Sequence, residues 1–161
     1  HNELTEEEID VDVLVAICDS TIDKVQTFGR NLLMKHFQED DGLSYLVQLS
    51  EHPSLNIQLF ISNFLEEFAS GRPAEQRKIL PFVETALSQV NKARVLKKRL
   101  LDFLEKEIFQ SQEAASIFCP LLVKQSASYS IELKSECLRL LLMAKKAWPD
   151  LETPLTQKAL S

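Results

Sequence analysis

Residues able to act as nucleophiles, bases or metal ligands are few in this chain of 161 residues. The histidines and cysteines number three each: His1, His36, His52, Cys18, Cys119 and Cys137. A nucleophile needs a base within hydrogen-bond reach, and no sequence spacing suggests such a pair. An odd number of cysteines without a CxxC motif argues against a disulfide framework and against a zinc site. We therefore expect a protein that is not an enzyme, holds no metal or cofactor, and keeps its cysteines buried in the reducing cytoplasm.

Two pairs of carboxylates, Glu66–Glu67 and Glu105–Glu107, lie in stretches with helical periodicity. A di-metal site in a helical bundle also uses Glu-x-x-His motifs, and neither internal histidine has a glutamate three residues earlier. We therefore expect these carboxylates on a solvated helix face.

The glycines Gly29, Gly42 and Gly71 are isolated, so they do not indicate a phosphate-binding loop, which needs clustered glycines. Gly29 lies within a helical pattern, where a missing side chain allows a close approach between helices. Gly71 follows the end of a helical pattern and is interpreted as a C-terminal stop.

Cationic residues are concentrated in two stretches: Lys92, Arg94, Lys97, Lys98 and Arg99, and then Lys134, Arg139, Lys145 and Lys146. Cations in this number could meet phosphates or an acidic protein surface, although solvated lysines are the commonest alternative. No aromatic residues alternate with the first run, and stacking on nucleic-acid bases needs them.

Charge is unevenly distributed along the chain. The net charge is −6, with −11 in residues 1–70 and +5 in residues 71–161. This balance is unfavourable for general binding of nucleic acid.

No stretch approaches the ~18–20 apolar residues that span a bilayer, and the acidic first ten residues do not resemble a signal peptide. The start at His1-Asn2 without methionine leads us to expect a piece of a longer protein.

Apolar residues recur every three or four positions, which predicts helices with one buried face. The few breakers, three Gly and six Pro, favour long helices over strands. We predict eight main helices and one short terminal turn, near residues 10–18, 21–38, 42–51, 54–69, 74–89, 92–109, 112–126, 130–147 and 153–160.

The even-numbered predicted helices share a pattern. An apolar residue is followed by a long polar one, a small or apolar residue comes at +4, and an apolar pair comes at +7 and +8. The pattern opens with Val25-Gln26, Ile57-Gln58, Leu96-Lys97 and Leu133-Lys134. The separations are 32, 39 and 37 residues, in the range of two-helix repeats.

This repeat resembles the HEAT/armadillo superfamily, and HEAT more than armadillo. HEAT first helices often contain a proline, as at Pro81 and Pro120, followed about thirteen residues later by an apolar–Arg pair. The first two repeats here lack the proline, and Gln or Lys stands where the family has Arg. The resemblance implies an all-α, right-handed solenoid of about four antiparallel helix pairs, forming one domain over residues 1–161 with a tail or cap at 148–161.

In HEAT-like solenoids the second helices line one surface, so we predict a partner-binding patch of Lys97, Lys98, Lys134 and Arg139. The predicted function is a non-catalytic protein-interaction or scaffold module with an unknown protein partner and no membrane association. Nucleic-acid binding through the basic half and a purely structural spacer are the alternatives.

Trp148 is expected to cover the edge of the last repeat, the alternative being an exposed contact for a partner. The oligomeric state stays open, because the opposite charges of the two halves could drive head-to-tail contacts.

Overall fold

The computed structural model describes residues 11–18, 20–37, 46–47, 49–51 and 53–153. This part of the chain is all-helical and contains no strand. Its helices are α1 (Val11–Cys18), α2 (Asp23–Phe37), α3 (Leu55–Ala69), α4 (Pro73–Ser88), α5 (Arg94–Gln110), α6 (Gln112–Gln125) and α7 (Ile131–Ala147).

The predicted helices agree with these bounds to within two residues at each end. Residues 46, 47, 49 and 50 of the predicted third helix are helical, and the rest of that prediction, like the terminal turn after Thr153, lies outside the described residues. Local capping explains two of the starts. The Ser111 hydroxyl accepts from the amide of Ala114 at the start of α6, and the Ser130 hydroxyl accepts from the amide of Leu133 at the start of α7. As predicted, α4 and α6 continue through Pro81 and Pro120.

Five of the seven helices, α3 to α7, pack in two layers. Each of α3 to α6 contacts the helix that follows it in sequence. In addition, α3 packs on α5 and α5 on α7, whereas α4 packs on α6. We call α3, α5 and α7 layer B and α4 and α6 layer A. The hydrophobic core lies between and within these layers.

The apolar residues that open the repeat pattern, Val25, Ile57, Leu96 and Leu133, are predicted to form one buried spine, and burial is confirmed at three of these four positions. Ile57, Leu96 and Leu133 are buried. The prediction is wrong at Val25, which is 37% exposed. In the described part of the chain the main contact of α2 is with α1, and Val25 lines an open groove beside that helix. It therefore lacks the cover that neighbouring helices give its counterparts.

Both glycine interpretations are confirmed. A Cβ on Gly29 would lie 2.7 Å from Cγ2 of Ile17 and 3.0 Å from the backbone nitrogen of Cys18, so glycine is needed for the close approach of α1 and α2. Gly71 has a φ of +67° and follows Ser70 at φ −61° and ψ 123°. With the bond from the Arg72 amide to the Ala69 carbonyl, these angles define a type II turn that ends α3.

Candidate interaction surface

Polar contacts between distant parts of the chain follow one rule. Within the described residues, every side-chain hydrogen bond spanning more than eight positions joins residues 31 to 41 positions apart. Most of these bonds join α3 to α5, α4 to α6 or α5 to α7, and the others join neighbouring helices or the loops beside them.

The polar residue that follows the spine position makes an internal contact in two of the helices, α3 and α5. Gln58 is buried, and its side-chain oxygen accepts from the Leu96 amide at 3.4 Å. Lys97 is half-buried, and its ammonium group donates to the carbonyl of Gln89 in the loop before α5. Burial lowers the pKa of Lys97 below its ordinary value. Lys97, one of the four predicted patch residues, thus has its cation directed at backbone rather than presented to solvent.

Arg139, a second predicted patch residue, is bound by two carboxylates. Its Nη1 and Nη2 donate to the two carboxylate oxygens of Glu105 at 3.0 and 2.7 Å, joining α7 to α5. Its Nε donates to both oxygens of Glu136 at 3.0 and 3.1 Å. The hydrogen bonds to Glu105 and Glu136 raise the pKa of Arg139, and the bond from Arg139 lowers the pKa of Glu105. We call Arg139, Glu105 and Glu136 the Arg139 cluster; two carboxylates neutralise its cation.

The remaining two predicted patch residues, Lys98 and Lys134, are exposed. Neither side chain has a hydrogen bond or ion pair within the described part of the chain. The same holds for Arg94, at the start of α5, which is also exposed. The structure therefore brings the four predicted residues onto α5 and α7 of layer B, two of them in internal contacts and two open to solvent.

Other members of the two basic stretches have partners as well. Arg99 donates to the side-chain oxygen of Asn63 on α3. Lys92 lies 3.7 Å from a carboxylate oxygen of Glu51. Lys145 donates to the carbonyl of Leu151 at 2.7 Å. Of these three cations, only Arg99 joins two described helices, whereas Lys92 and Lys145 contact residues outside the helices.

A buried carboxylate was missed by the sequence analysis. The prediction that Glu105 and Glu107 share a solvated face is wrong for Glu107, which is 1% exposed. Its oxygens accept from the Ser70 hydroxyl at 2.7 Å, the Gly71 amide at 2.8 Å and the Gln76 side-chain amide at 2.8 Å. We call these four residues the Glu107 cluster. The signal was present, because position 107 follows the buried Leu100 by two helical turns and precedes the buried Ile108.

Chemical reactivity finds little support in the described residues. They contain no group of three His, Cys, Asp or Glu side chains that could hold a metal ion. Cys18, Cys119 and Cys137 are buried and unpaired with one another, and desolvation raises the pKa of each thiol to about 11. Thiols held in the protonated form are weak nucleophiles. His1, His52 and the side chain of His36 lie outside the described residues.

Trp148 lies at the C-terminal end of α7 and is half-buried against the core. Its indole N–H donates to the carbonyl of Ile108 at 2.8 Å. The side chain thereby covers the end of α5, as the first of the two interpretations predicted.

Of the helices described, none combines the length and the apolar character needed to cross a lipid bilayer. Comparison of the chain with protein-family models, with curated proteins and with solved structures gave no match.

Proposed function

We propose that this chain is a HEAT-like α-solenoid of about four helix pairs that performs no reaction and binds another protein through the exposed face of layer B. The observation that carries the proposal is the sequence separation of the long-range side-chain hydrogen bonds, which always lies between 31 and 41 residues in the described part of the chain. A two-helix repeat has a period of this size, and stacked repeats contact only their neighbours.

A glutamine-to-serine contact recurs, with its donors 36 residues apart and its acceptors 38 residues apart. The Gln89 side-chain amide donates to the Ser50 hydroxyl, and the Gln125 side-chain amide donates to the Ser88 hydroxyl at 2.9 Å. Pro81 and Pro120 lie inside successive helices of layer A, as a HEAT-like first helix would have them. These equivalences support the repeat independently of the apolar spine.

The binding surface that we propose contains all four predicted cations in two roles. Lys98 and Lys134 contact the partner, because they are exposed and have no described partner within the chain. Lys97 and Arg139 fix the positions of α5 and α7 that present them. A carboxylate-rich protein surface matches the charge of the first pair.

A protein partner is favoured over nucleic acid for two reasons. The chain has a net charge of −6, which opposes approach to a phosphate backbone. The indole of Trp148 is also half-buried and hydrogen-bonded to Ile108, so it is poorly placed for stacking on a base.

The test compares two double charge reversals. K98E/K134E changes layer B, and K78E/K124E makes the same change of charge on layer A, at lysines whose side chains are 64% and 67% exposed. Fluorescence anisotropy with a labelled polyglutamate peptide, at about 50 mM salt, measures binding of each. We expect K98E/K134E to weaken binding about tenfold or more and K78E/K124E to leave it near the wild-type value.

Three outcomes would contradict parts of the proposal. Equal loss in both double variants would show that net charge, and not layer B, attracts the peptide. Tighter binding of a duplex DNA of equal charge than of the peptide would favour the nucleic-acid alternative. Absence of binding to either probe would favour the structural spacer.

A further inference from the structure

One long side of α7 is apolar and lies open to solvent. Ile131, Leu138 and Leu142 are 82%, 37% and 51% exposed. Their spacing of seven and four residues places them in one line along the helix, over a length of about 17 Å at 1.5 Å per residue. We call these three residues the α7 stripe. They form apolar surface that the core does not use.

The equivalent side of the two preceding helices of layer B contacts a neighbouring helix. Residues of α3, α5 and α7 that occupy the same place in the repeat are 39 and 37 positions apart, so the equivalents of Leu142 are Glu105 and Glu66. Glu105 accepts from Arg139 of α7 at 2.7 Å, and Glu66 accepts from Lys106 of α5 at 2.8 Å. This side therefore faces the next layer-B helix in α3 and in α5, whereas no helix follows α7 in the described part of the chain. The place of the α7 stripe thus suits a helix.

Lysines, and no carboxylate, flank the α7 stripe. At 100° per residue, seven residues of α7 lie within about 60° of the centre of the stripe. They are the three stripe residues with Lys134, Ser135, Lys145 and Lys146. The two carboxylates of this helix, Glu132 and Glu136, lie about 100° and 140° from that centre. The charge beside the stripe is therefore positive.

Two of these three lysines are available to a partner. Lys145 donates to the carbonyl of Leu151 at 2.7 Å. The side chains of Lys134 and Lys146 are exposed and have no hydrogen bond or ion pair with any described residue. They lie on opposite flanks of the stripe, as the charged residues that select a partner do beside the apolar seam of a coiled coil.

A pocket adjoins the C-terminal end of the α7 stripe. It has a volume of about 590 Å³ and is lined by Leu142, Met143, Lys145, Lys146 and Pro149. A large apolar side chain of a docked helix would be buried there, and a few buried anchors of this kind supply most of the binding free energy of an interface. Apolar surface and cationic flanks together match a helix that is apolar on one face and acidic beside it.

Other segments of this chain do not have the matching charge. Residues 154–161 contain one lysine and no carboxylate. Helices α1 and α2 together contain three basic and two acidic residues, so the described N-terminal helices of a second copy are not acidic either. The charge beside the stripe therefore favours a helix of a different protein.

We infer that the α7 stripe binds an amphipathic α-helix of another protein that has carboxylates on both sides of its apolar face. The apolar face packs along Ile131, Leu138 and Leu142, and the carboxylates pair with Lys134 and Lys146. Because Lys134 also belongs to the proposed binding surface, this inference rests on the proposed function and specifies the secondary structure and charge of the partner.

Binding of three labelled peptides to the whole chain, measured by fluorescence anisotropy, tests the inference. The acidic helix peptide has three heptads with leucine at the two seam positions and glutamate at the positions that flank them. The scrambled peptide has the same composition without helical amphipathicity, and the third is the polyglutamate peptide. We expect the acidic helix peptide to bind about tenfold or more tightly than the scrambled one, and less tightly when salt is raised from about 50 to about 500 mM.

Variants of the chain separate the apolar contact from the charge. L138Q/L142Q removes apolar surface without a change of charge, and it should weaken binding of the acidic helix peptide about tenfold or more while leaving binding of polyglutamate unchanged. L55Q/V90Q is the matched control, since Leu55 and Val90 are exposed and lie outside α7, and it should change neither affinity. Circular dichroism melts check the fold, and L142Q alone replaces the double variant if the latter does not fold.

The two proposals can fail separately. If L138Q/L142Q binds the acidic helix peptide as wild type does, while K98E/K134E still loses polyglutamate, the inference is overturned and the proposed function stands. If the wild type binds neither acidic peptide, both are overturned. Equal loss in L138Q/L142Q and L55Q/V90Q would mean that the peptide adheres to any exposed apolar residue, which also overturns the inference.

Three further results would assign the α7 stripe to a different occupant and overturn the inference. Sedimentation of the wild type as a dimer that L138Q/L142Q abolishes would indicate a second copy. Retention on phosphatidylserine vesicles, lost in the same variant and without binding of the acidic helix peptide, would indicate a lipid surface. Binding of the peptide to L155Q/L160Q but not to the wild type would indicate residues 154–161.

Discussion

Glu105 and Glu107 are two residues apart on α5, yet they join the stack in different ways. Glu107 is buried and accepts three hydrogen bonds from uncharged groups in and after the turn between α3 and α4. Glu105 is partly exposed, with 32% of its side chain accessible, and accepts from a charged guanidinium on α7. The Glu107 cluster thus joins α5 to the preceding α3–α4 turn and α4, and the Arg139 cluster joins α5 to α7, the next helix of layer B.

This difference in burial leads us to expect that the ion pair, although both of its partners are charged, contributes less to the free energy of unfolding than the buried cluster. A partly exposed pair gains little, because water solvates the separated charges well and the side chains lose freedom. Removing one member of a buried network leaves donors without an acceptor and without water, which costs the full desolvation of each group. We therefore expect the uncharged donors around Glu107 to matter more than the Arg139 pair.

The largest effect is expected from E107A. It leaves the Gly71 amide, the Ser70 hydroxyl and the Gln76 amide without their acceptor and opens a cavity, at a cost of about 3 kcal/mol in the free energy of unfolding. Urea denaturation followed by circular dichroism measures it. E107Q is the control, because an amide oxygen can replace the acceptor for Gly71 while its NH₂ donates to the Ser70 oxygen. A loss below about 1 kcal/mol in E107A would remove the contrast between the two clusters.

A smaller effect is expected from G71A, which tests the turn that directs a donor at Glu107. No atom lies within 4 Å of the added Cβ, so steric clash is absent and the cost is the left-handed backbone, about 1 kcal/mol. G71N should lose less, since asparagine adopts this conformation more readily. Equal thermal stability of G71A and wild type would mean that the turn relaxes freely and does not constrain the cluster.

How far the sequence alone predicts this molecule depends on whether a feature is local. Helical periodicity and Ser or Pro at helix starts are local, and they place all seven described helices within two residues of their bounds. The burial of Glu107 was also predictable, because its position continues the apolar face of α5. The prediction followed its residue type, a carboxylate, rather than its position on the helix. The three donors that make its burial possible lie more than thirty residues away in the sequence, so no local pattern indicates them.

The roles of the four predicted cations were not predictable in the same way. Lys97 and Lys98 are adjacent, and only the path of the Gln89 loop decides that Lys97 donates to backbone while Lys98 stays exposed. Arg139 reaches Glu105 because of the register between α5 and α7. Register between stacked helices depends on the packing of both, and no single helix encodes it.

The loss of stability in R139A at neutral pH should be smaller than the losses expected for E107A and G71A. Loss of the bonds to Glu105 and Glu136 removes a partly exposed pair, so the free energy of unfolding should fall by less than about 1 kcal/mol. R139K is the control, since lysine keeps the charge without the two parallel bonds. A loss comparable to that of E107A, measured under the same urea conditions, would show that the exposed pair carries as much of the connection as the buried cluster.

The smallest effect, a change with pH, identifies the source of whatever stability Arg139 supplies. The pKa of Glu105 in the folded chain is below its ordinary value of 4.5, chiefly because Arg139 donates to its carboxylate. A group whose pKa is lowered by folding stabilises the fold at pH above its unfolded-state value, and this contribution is lost as the pH falls through the lower folded-state value. The difference in stability between wild type and R139A should therefore be constant near neutrality and shrink from about pH 5 to about pH 3. A difference that stays constant across that interval would attribute the effect of Arg139 to the packing of its aliphatic stem on α7 rather than to its bond with Glu105.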